Sequence, residues 1–378
     1  MRVTRLGAFG LALAVLAAGC TGDPEPRRDG EVDECRFLPT ADRMGDVPAG
    51  VDGVAADDVW VVGARYRGGA SEPFASRWNG ETWNDTKVAP LEAEIGGFHD
   101  VAAASRDEAW AVGSMRTSEP IAFAWDGSRW SSETVPPLDG VEEAELYGVT
   151  TSERSVWAVG RSRTGRRWSP LALERHGGVW RRAAAPAPGG VDATLRSVDA
   201  AAPDDVWAVG WTAGPGGRLE TLAMHHDGAT WHRVPTPGTG GRYDVLAAVD
   251  AVTAEEAWAV GWAIDADGVD RPLILRWDGT RWSTVPAPEV EGRTQLIAVS
   301  APAAGDVWIA GRAMDETQTF RALVFRRFGD SWATVATPDE GEEDDTLAGI
   351  EVVDGFPWAV GSALGADQRY RSLLLSGC

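Results

Sequence analysis

Val156-Trp157-Ala158-Val159-Gly160 recurs as Val59-Trp60-Val61-Val62-Gly63 and Ala109-Trp110-Ala111-Val112-Gly113. It continues at Trp207, Trp258, Trp308 and Trp358, each followed three residues on by glycine. Successive tryptophans stand 50, 47, 50, 51, 50 and 50 residues apart. A period near fifty marks an array of supersecondary units. Side chains alternate across a strand, and here both sets are apolar, which predicts a strand covered on both faces within a stack of sheets. The large indole is then expected to pack against the small alanine of the next unit. The glycine is expected to end the strand where the chain turns.

A second phrase interleaves with the first. Its clearest forms are Trp78-Asn79-Gly80-Glu81-Thr82-Trp83, Trp125-Asp126-Gly127-Ser128-Arg129-Trp130 and Trp277-Asp278-Gly279-Thr280-Arg281-Trp282. His226-Asp227-Gly228-Ala229-Thr230-Trp231, Phe328-Gly329-Asp330-Ser331-Trp332 and Gly178-Val179-Trp180 are looser copies. Asn-Gly or Asp-Gly between apolar runs predicts a hairpin whose two central residues both take positive φ. Each unit therefore reads as four strands. In the sixth these are Leu296 to Ser300, Val307 to Gly311, Ala322 to Arg326 and Trp332 to Ala336, with Pro338 closing the unit.

The seventh unit stops after its third strand, Ser372 to Leu375. Its missing fourth strand has a match at the other end of the chain, where Cys35-Arg36-Phe37-Leu38-Pro39 parallels Trp282-Ser283-Thr284-Val285-Pro286. Residues near 35–40 are thus expected to complete the last sheet. The same alignment puts Cys35 and Cys378 at two ends of one hairpin, close enough for a disulfide. Over residues 35–378 the pattern resembles kelch-type and Asp-box propellers, which also place an aromatic hairpin between third and fourth strands. The resemblance implies an all-β, seven-bladed β-propeller of four-stranded blades, its ring closed by an N-terminal strand completing the last blade. The kelch double glycine is absent and the Asp-box spacing is one residue short, so no functional residue of either family carries over.

The first twenty residues carry a different signal. Arg2 and Arg5 precede an apolar run from Leu6 to Ala18, too short to span a bilayer, and the run ends in Leu16-Ala17-Ala18-Gly19-Cys20. This segment resembles a bacterial lipoprotein signal, which implies removal of residues 1–19 and lipid attachment at Cys20. Residues 20–34 are nearly devoid of apolar side chains and read as a tether. An exported compartment favours the Cys35–Cys378 bridge. The expected location is the outer face of the cytoplasmic membrane, with the lipid as the sole membrane contact and the protein a monomer.

A net charge of −22 argues against nucleic acid as a partner. Neither a metal-ligating spacing, a nucleophile elbow nor a phosphate-cradling glycine loop appears, so no catalytic residue, metal or cofactor is expected. His99, His176, His225, His226 and His232 fall on or beside repeat strands and hairpins, and no spacing singles out one of Tyr66, Tyr147, Tyr243 and Tyr370. The loops after the second strands are rich in arginine: Arg65, Arg67, Arg116, Arg161, Arg163, Arg166, Arg167, Arg218, Arg271, Arg321 and Arg371. Trp211 and Trp262 hold matching places in adjacent units, and Trp168 lies near the basic loop of the third. Loops between units are acidic, as at Asp139, Glu142, Glu143 and Glu145, and again from Asp339 to Asp345.

Two explanations of this pattern compete. In one, acids and arginines simply pair across a solvated face and contribute little to stability. Alternatively Arg163, Arg166, Arg167, Arg218, Arg271, Arg321 and Arg371, with Trp211 and Trp262, form a recognition surface. Guanidinium forks would grip carboxylates or sulfates, and indoles would stack on sugars. The corresponding function is a cell-surface module binding an envelope protein or an anionic glycan. The alternative is a glycan-active hydrolase or lyase on the same face.

Overall fold

The computed structural model describes residues 43–89, 96–153, 155–186, 189, 191–338 and 343–377, together with the backbone of 36–37. The chain divides into two units, Met1–Val32 and Asp33–Cys378, and the fold described is that of the second. It is all-β apart from one short 3-10 turn at Pro215–Gly217. Among the described residues no helix is long and apolar enough to cross a membrane.

Each repeat folds as an antiparallel meander. The sixth comprises Thr294–Ala303, Asp306–Met314, Phe320–Phe328 and Ser331–Val335, paired in that order. Each of these strands begins before the sequence pattern does, and the first three also run past its end. In the last repeat Asp345–Val353, Phe356–Leu364 and Tyr370–Ser376 are followed in the sheet by Arg36–Phe37. Arg36 lies opposite Ser376 and Phe37 opposite Leu375, the register expected from the match to residues 282–286. Cys20, Cys35 and Cys378 fall outside the described residues.

The repeated tryptophans are all buried, and each one packs into the next repeat. Trp60 clusters with Ala111, Trp157 with Ala208 and Trp207 with Ala259, the small partner expected. Their main aromatic contacts, however, are the hairpin rings of that next unit. Trp60 meets Trp130 at 5.1 Å, Trp157 meets Trp231 at 5.3 Å and Trp207 meets Trp282 at 5.0 Å, all edge-on. Such pairs add about 0.5–1.5 kcal/mol each beyond the area they bury. Trp358 of the last repeat meets Trp83 of the first at 5.7 Å and 88°. Val51, Val61 and Phe74 share a core with Val353, Val360 and Leu374.

In four repeats the acid two residues before the tryptophan is faced by an arginine or a histidine from the third strand, and in three of them the acid is buried. Arg77 holds the fully buried Asp58 through two bonds of 2.5 and 2.8 Å and lies 5.1 Å over the Trp60 ring. His225 pairs with Asp205 at 2.7 Å, Arg276 with Glu256 at 3.3 Å and Arg326 with Asp306 at 3.4 Å. These pairs hold the strand ends against the core indoles.

Two local expectations need correction. The hairpins are not two-residue turns, because Trp125 pairs with Trp130 and leaves four residues in the loop. Only the glycine there takes positive φ, +87° at Gly127, +84° at Gly228 and +85° at Gly279. The preceding Asx instead caps the loop with its side chain. Oδ1 of Asp126 accepts from the amides of Ser128 and Arg129 at 3.0 Å, and Asp278 does the same for Thr280 and Arg281.

The glycine after Trp-x-x is likewise no strand end. The second strands run on past it, as in Asp58–Arg67 around Gly63. It is required because the first strand bulges against it. A Cβ at Gly160 would meet the carbonyl oxygen of Glu145 at 1.9 Å, and one at Gly210 that of Thr194 at 2.0 Å. Leu146 pairs with Gly160 and Gly148 with the residue before, Val159, so Tyr147 is the extra residue. The same slip makes His99 and Arg196 the extra residues of the second and fourth repeats. Ala49, Ala247, Ile297 and Ala348 hold that place in the others.

Candidate functional site

A bulge re-aims the side chain of its extra residue. All seven bulge residues line one cavity of about 640 Å³, enclosed by first strands from every repeat. Four of the seven are alanine or isoleucine. The other three, His99, Tyr147 and Arg196, come from consecutive repeats and form an arc on its rim.

The arc is tightly organised. His99 stacks on Tyr147 with ring centres 5.4 Å apart, and its Nδ1 lies 2.7 Å from the carbonyl oxygen of Leu146. That carbonyl can only accept, so Nδ1 carries the proton and Nε2 is left as an acceptor. Burial lowers the His99 pKa, outweighing the help of the Leu146 bond and the Glu145 charge, so the ring is neutral at pH 7. The Tyr147 hydroxyl donates to Glu145. Burial and that bond together raise its pKa, so it is a fixed donor rather than a ready acid. Burial alone would raise the Glu145 pKa, but Tyr147, Arg161 and Ser118 outweigh it and hold the carboxylate below its usual range.

Behind Tyr147, Arg161 pairs with Glu145 at 2.7 Å and lies 4.0 Å over the Trp168 ring. Arg196 has no such anchor. It is exposed, its guanidinium carbon lies 5.7 Å from the Tyr147 ring centre, and it makes no hydrogen bond or ion pair among the described residues. The surrounding protein strips water from it and lowers its pKa, yet a guanidinium stays charged. The site therefore offers one unsatisfied cation, a neutral imidazole with a free acceptor, and a flat phenol between them.

Deeper in the cavity stand Asp52, Asp100, Asp199, Asp250 and Glu351. Among the described residues no group of acids, histidines or cysteines is arranged to hold a metal ion. Their role is structural, since each of the aspartates accepts the backbone amide of a following repeat. Asp52 takes Ala103 at 2.6 Å, Asp100 takes Val149 at 2.9 Å, Asp199 takes Ala251 at 2.8 Å and Asp250 takes Ala301 at 2.9 Å. Ser197 and Ser300 do the same for Val249 and Val352. Burial pushes Asp100 up to about 7 against the pull of its two backbone bonds, and burial raises the other four as well.

The loops after the second strands lie beside those joining repeats, as the bonds from Ala144 N to Ser118 O and from Trp168 N to Asp192 Oδ1 show. Many of the arginines singled out in the sequence are neutralised on this face. Arg163 is held by Glu143, Arg271 by Asp265 at 3.2 Å and Arg321 by Asp315 at 2.9 Å. Arg166, Arg167, Arg218 and Arg371 are exposed, and no ion pair holds them among the described residues. Trp211 and Trp262 are half-buried at the strand position that Arg161 occupies in the third repeat. The charge pattern did not disclose His99, Tyr147 or Arg196. What could have found them is the residue thirteen or fourteen places before each repeat glycine, which is apolar in four repeats and polar in three.

No family model matches this chain, and no curated protein does. Solved structures do resemble it. One is "YCF48 bound to D1 peptide", 15% identical, covering 92% of this chain and 96% of that one at a TM-score of 0.55. The WD40 β-propeller domain of Doa1 is 11% identical over 90% of this chain and 94% of its own, with a TM-score of 0.55. A PL25 ulvan lyase bound to -[GlcA(1-4)Rha3S]- is 10% identical over 89% and 95%, at 0.58. Identities this low speak to architecture alone, and the architecture they share with this chain of repeating four-stranded sheets is the β-propeller.

Proposed function

We propose that this chain is an exported lipoprotein, anchored through Cys20, whose closed seven-bladed propeller binds an anionic ligand at its axial rim. The observation that carries the reading is Arg196, an exposed guanidinium with no counter-ion among the described residues, lining the cavity that the first strands of every repeat share and backed by Tyr147. A guanidinium fork suits a carboxylate or sulfate held in two parallel bonds. The deeper aspartates are committed to backbone amides, which leaves Arg196 as the group offered to such a ligand. Arg166, Arg167, Arg218 and Arg371 serve as outer contacts of the same face, and a Cys35–Cys378 bridge ties the ring. Closure is supported by the contact of Trp358 with Trp83 and by Arg36–Phe37 pairing in the last sheet. One propeller of similar fold is known bound to a peptide and another bound to a uronate-containing glycan, which fits a recognition face for a chain-like ligand.

A second reading is favoured by His99. With Nδ1 committed to Leu146, its Nε2 can take a proton beside a carboxylate held on Arg196, as glycan cleavage by elimination would need. The deciding experiment measures binding of anionic glycans and acidic peptides to the full chain in detergent, at low and high salt. Capture that is weakened by salt and lost in Arg196→Ala supports the binding site. Unchanged capture in that variant removes it. Appearance of unsaturated sugar ends, lost in His99→Ala, would establish cleavage.

A further inference from the structure

A second cavity of about 490 Å³ opens beside the axial one and shares Ala49 and His99 with it. Its floor has few side chains. Gly96 and Gly97 form part of it, and a Cβ at Gly97 would meet that of Ala64 at 2.7 Å, so the floor must stay bare. At its outer end stands Tyr66, which is 50% exposed. Tyr370 of the last repeat, 43% exposed, lies beside it with ring centres 6.2 Å apart and planes tilted by 35°. Two large aromatic rings left open to water at the junction of the first and last repeats contribute little to the core. Arg67 and Arg371 flank them, exposed and with no ion pair among the described residues.

We propose that Tyr66, Tyr370 and Arg196 mark the two ends of one groove that binds an acidic oligosaccharide, its sugar rings on the tyrosines and its anionic group on the arginine. This rests on the anion-binding reading of the axial rim and extends it to a ligand class. The floor's backbone is already paired, Val47 with Ala64 and Gly97 with Ser114, so the groove offers ring faces rather than a strand edge for a peptide. Flat phenol faces match the C–H face of a pyranose, and the bare floor leaves room for the sugars between. The opposite charge at each end comes from the ligand, since Arg67, Arg371 and Arg196 are all cations.

The test titrates the full chain in detergent with galacturonate, a galacturonate hexamer, a κ-carrageenan hexamer and a hexaglutamate peptide. The variants are Arg196→Ala and the double variant Tyr66→Ala/Tyr370→Ala, whose exposed positions leave folding intact. The expected result is that one or both acidic hexamers bind at least about tenfold tighter than the monomer, and that the tyrosine variant loses this gain but keeps the monomer. Arg196→Ala should lose both. The preferred hexamer tells whether carboxylate or sulfate is recognised. Equal affinity for monomer and hexamer, or a tyrosine variant that binds as the parent does, overturns the groove and leaves the rim site standing. Preference for the peptide overturns the sugar class. Failure of every anion to bind removes the groove and the rim site together.

Discussion

Gly160 faces the carbonyl oxygen of Glu145 so closely that a single added carbon would stand 1.9 Å from it. The relation connects the repeat that builds the core to the bulge that presents Tyr147. Replacing Gly160 by alanine must push the first strand away or unwind the bulge. The expected cost is about 1–3 kcal/mol of stability, with Tyr147 displaced from Arg196. Urea unfolding monitored by tryptophan fluorescence gives the first number, and loss of ligand at a temperature where the variant stays folded gives the second.

Arg77→Ala should be more damaging than Arg196→Ala although both remove one arginine. Asp58 is wholly buried and takes both of its close bonds from Arg77. Stranding it costs about 3–5 kcal/mol. Arg196 has no such partner, and its removal should leave the midpoint within about 0.5 kcal/mol of the parent. Parallel denaturation curves check the contrast. Equal losses would mean that Arg196 is a structural residue after all.

Stability should fall as the pH rises from 5 to 8. A carboxyl raised in the folded state from 3.8 to about 7, as Asp100 is, holds a proton there that the unfolded chain releases. Its contribution is complete below the unfolded value and is lost as the pH climbs through the folded one. Asp52, Asp199, Asp250 and Glu351 are raised in the same direction by the same burial. Asp100→Asn should flatten the dependence of melting temperature on pH, by about 1–3 °C over that interval. An unchanged slope would show that Asp100 is hydrated and already ionised.

The proposed bridge between Cys35 and Cys378 has a direct readout. The intact mass of the mature chain should rise by two hydrogens on reduction under denaturing conditions. Reduction should also lower the unfolding midpoint, by up to about 4 kcal/mol on a chain-entropy account. Free thiols that react with iodoacetamide before reduction would rule the bridge out.

The fold was largely legible because its signals are local and repeated. A tryptophan every fifty residues and an aromatic hairpin between them leave few architectures. The match of residues 35–39 to 282–286 even anticipates the register of Phe37 against Leu375. What the repeats concealed is the meaning of their glycine. Read along one strand, Gly160 is a terminator. Read across two, it is the space for a bulge, and only pairing shows which holds. The site was hidden for the same reason. Charge in the loops is easy to count, but Arg163 and Arg321 spend theirs on neighbouring acids. Arg196 stands out only once its surroundings are known. The acids of the first strands carried the opposite trap, since their number suggests chemistry while their bonds to Ala103, Val149 and Ala301 show mortar.

The bulge also separates two kinds of sequence constraint. Residues in register with the tryptophans must satisfy a neighbour on each side, and a change there is felt by both adjoining repeats. The seven bulge positions line one cavity instead of a packed seam, and alanine, isoleucine, histidine, tyrosine and arginine are all accommodated at equivalent places. Selection can therefore exchange the chemistry lining the cavity one tooth at a time without touching the frame. Paralogues sharing the tryptophan period but differing at these seven positions would be a ready-made library of specificities on one chassis.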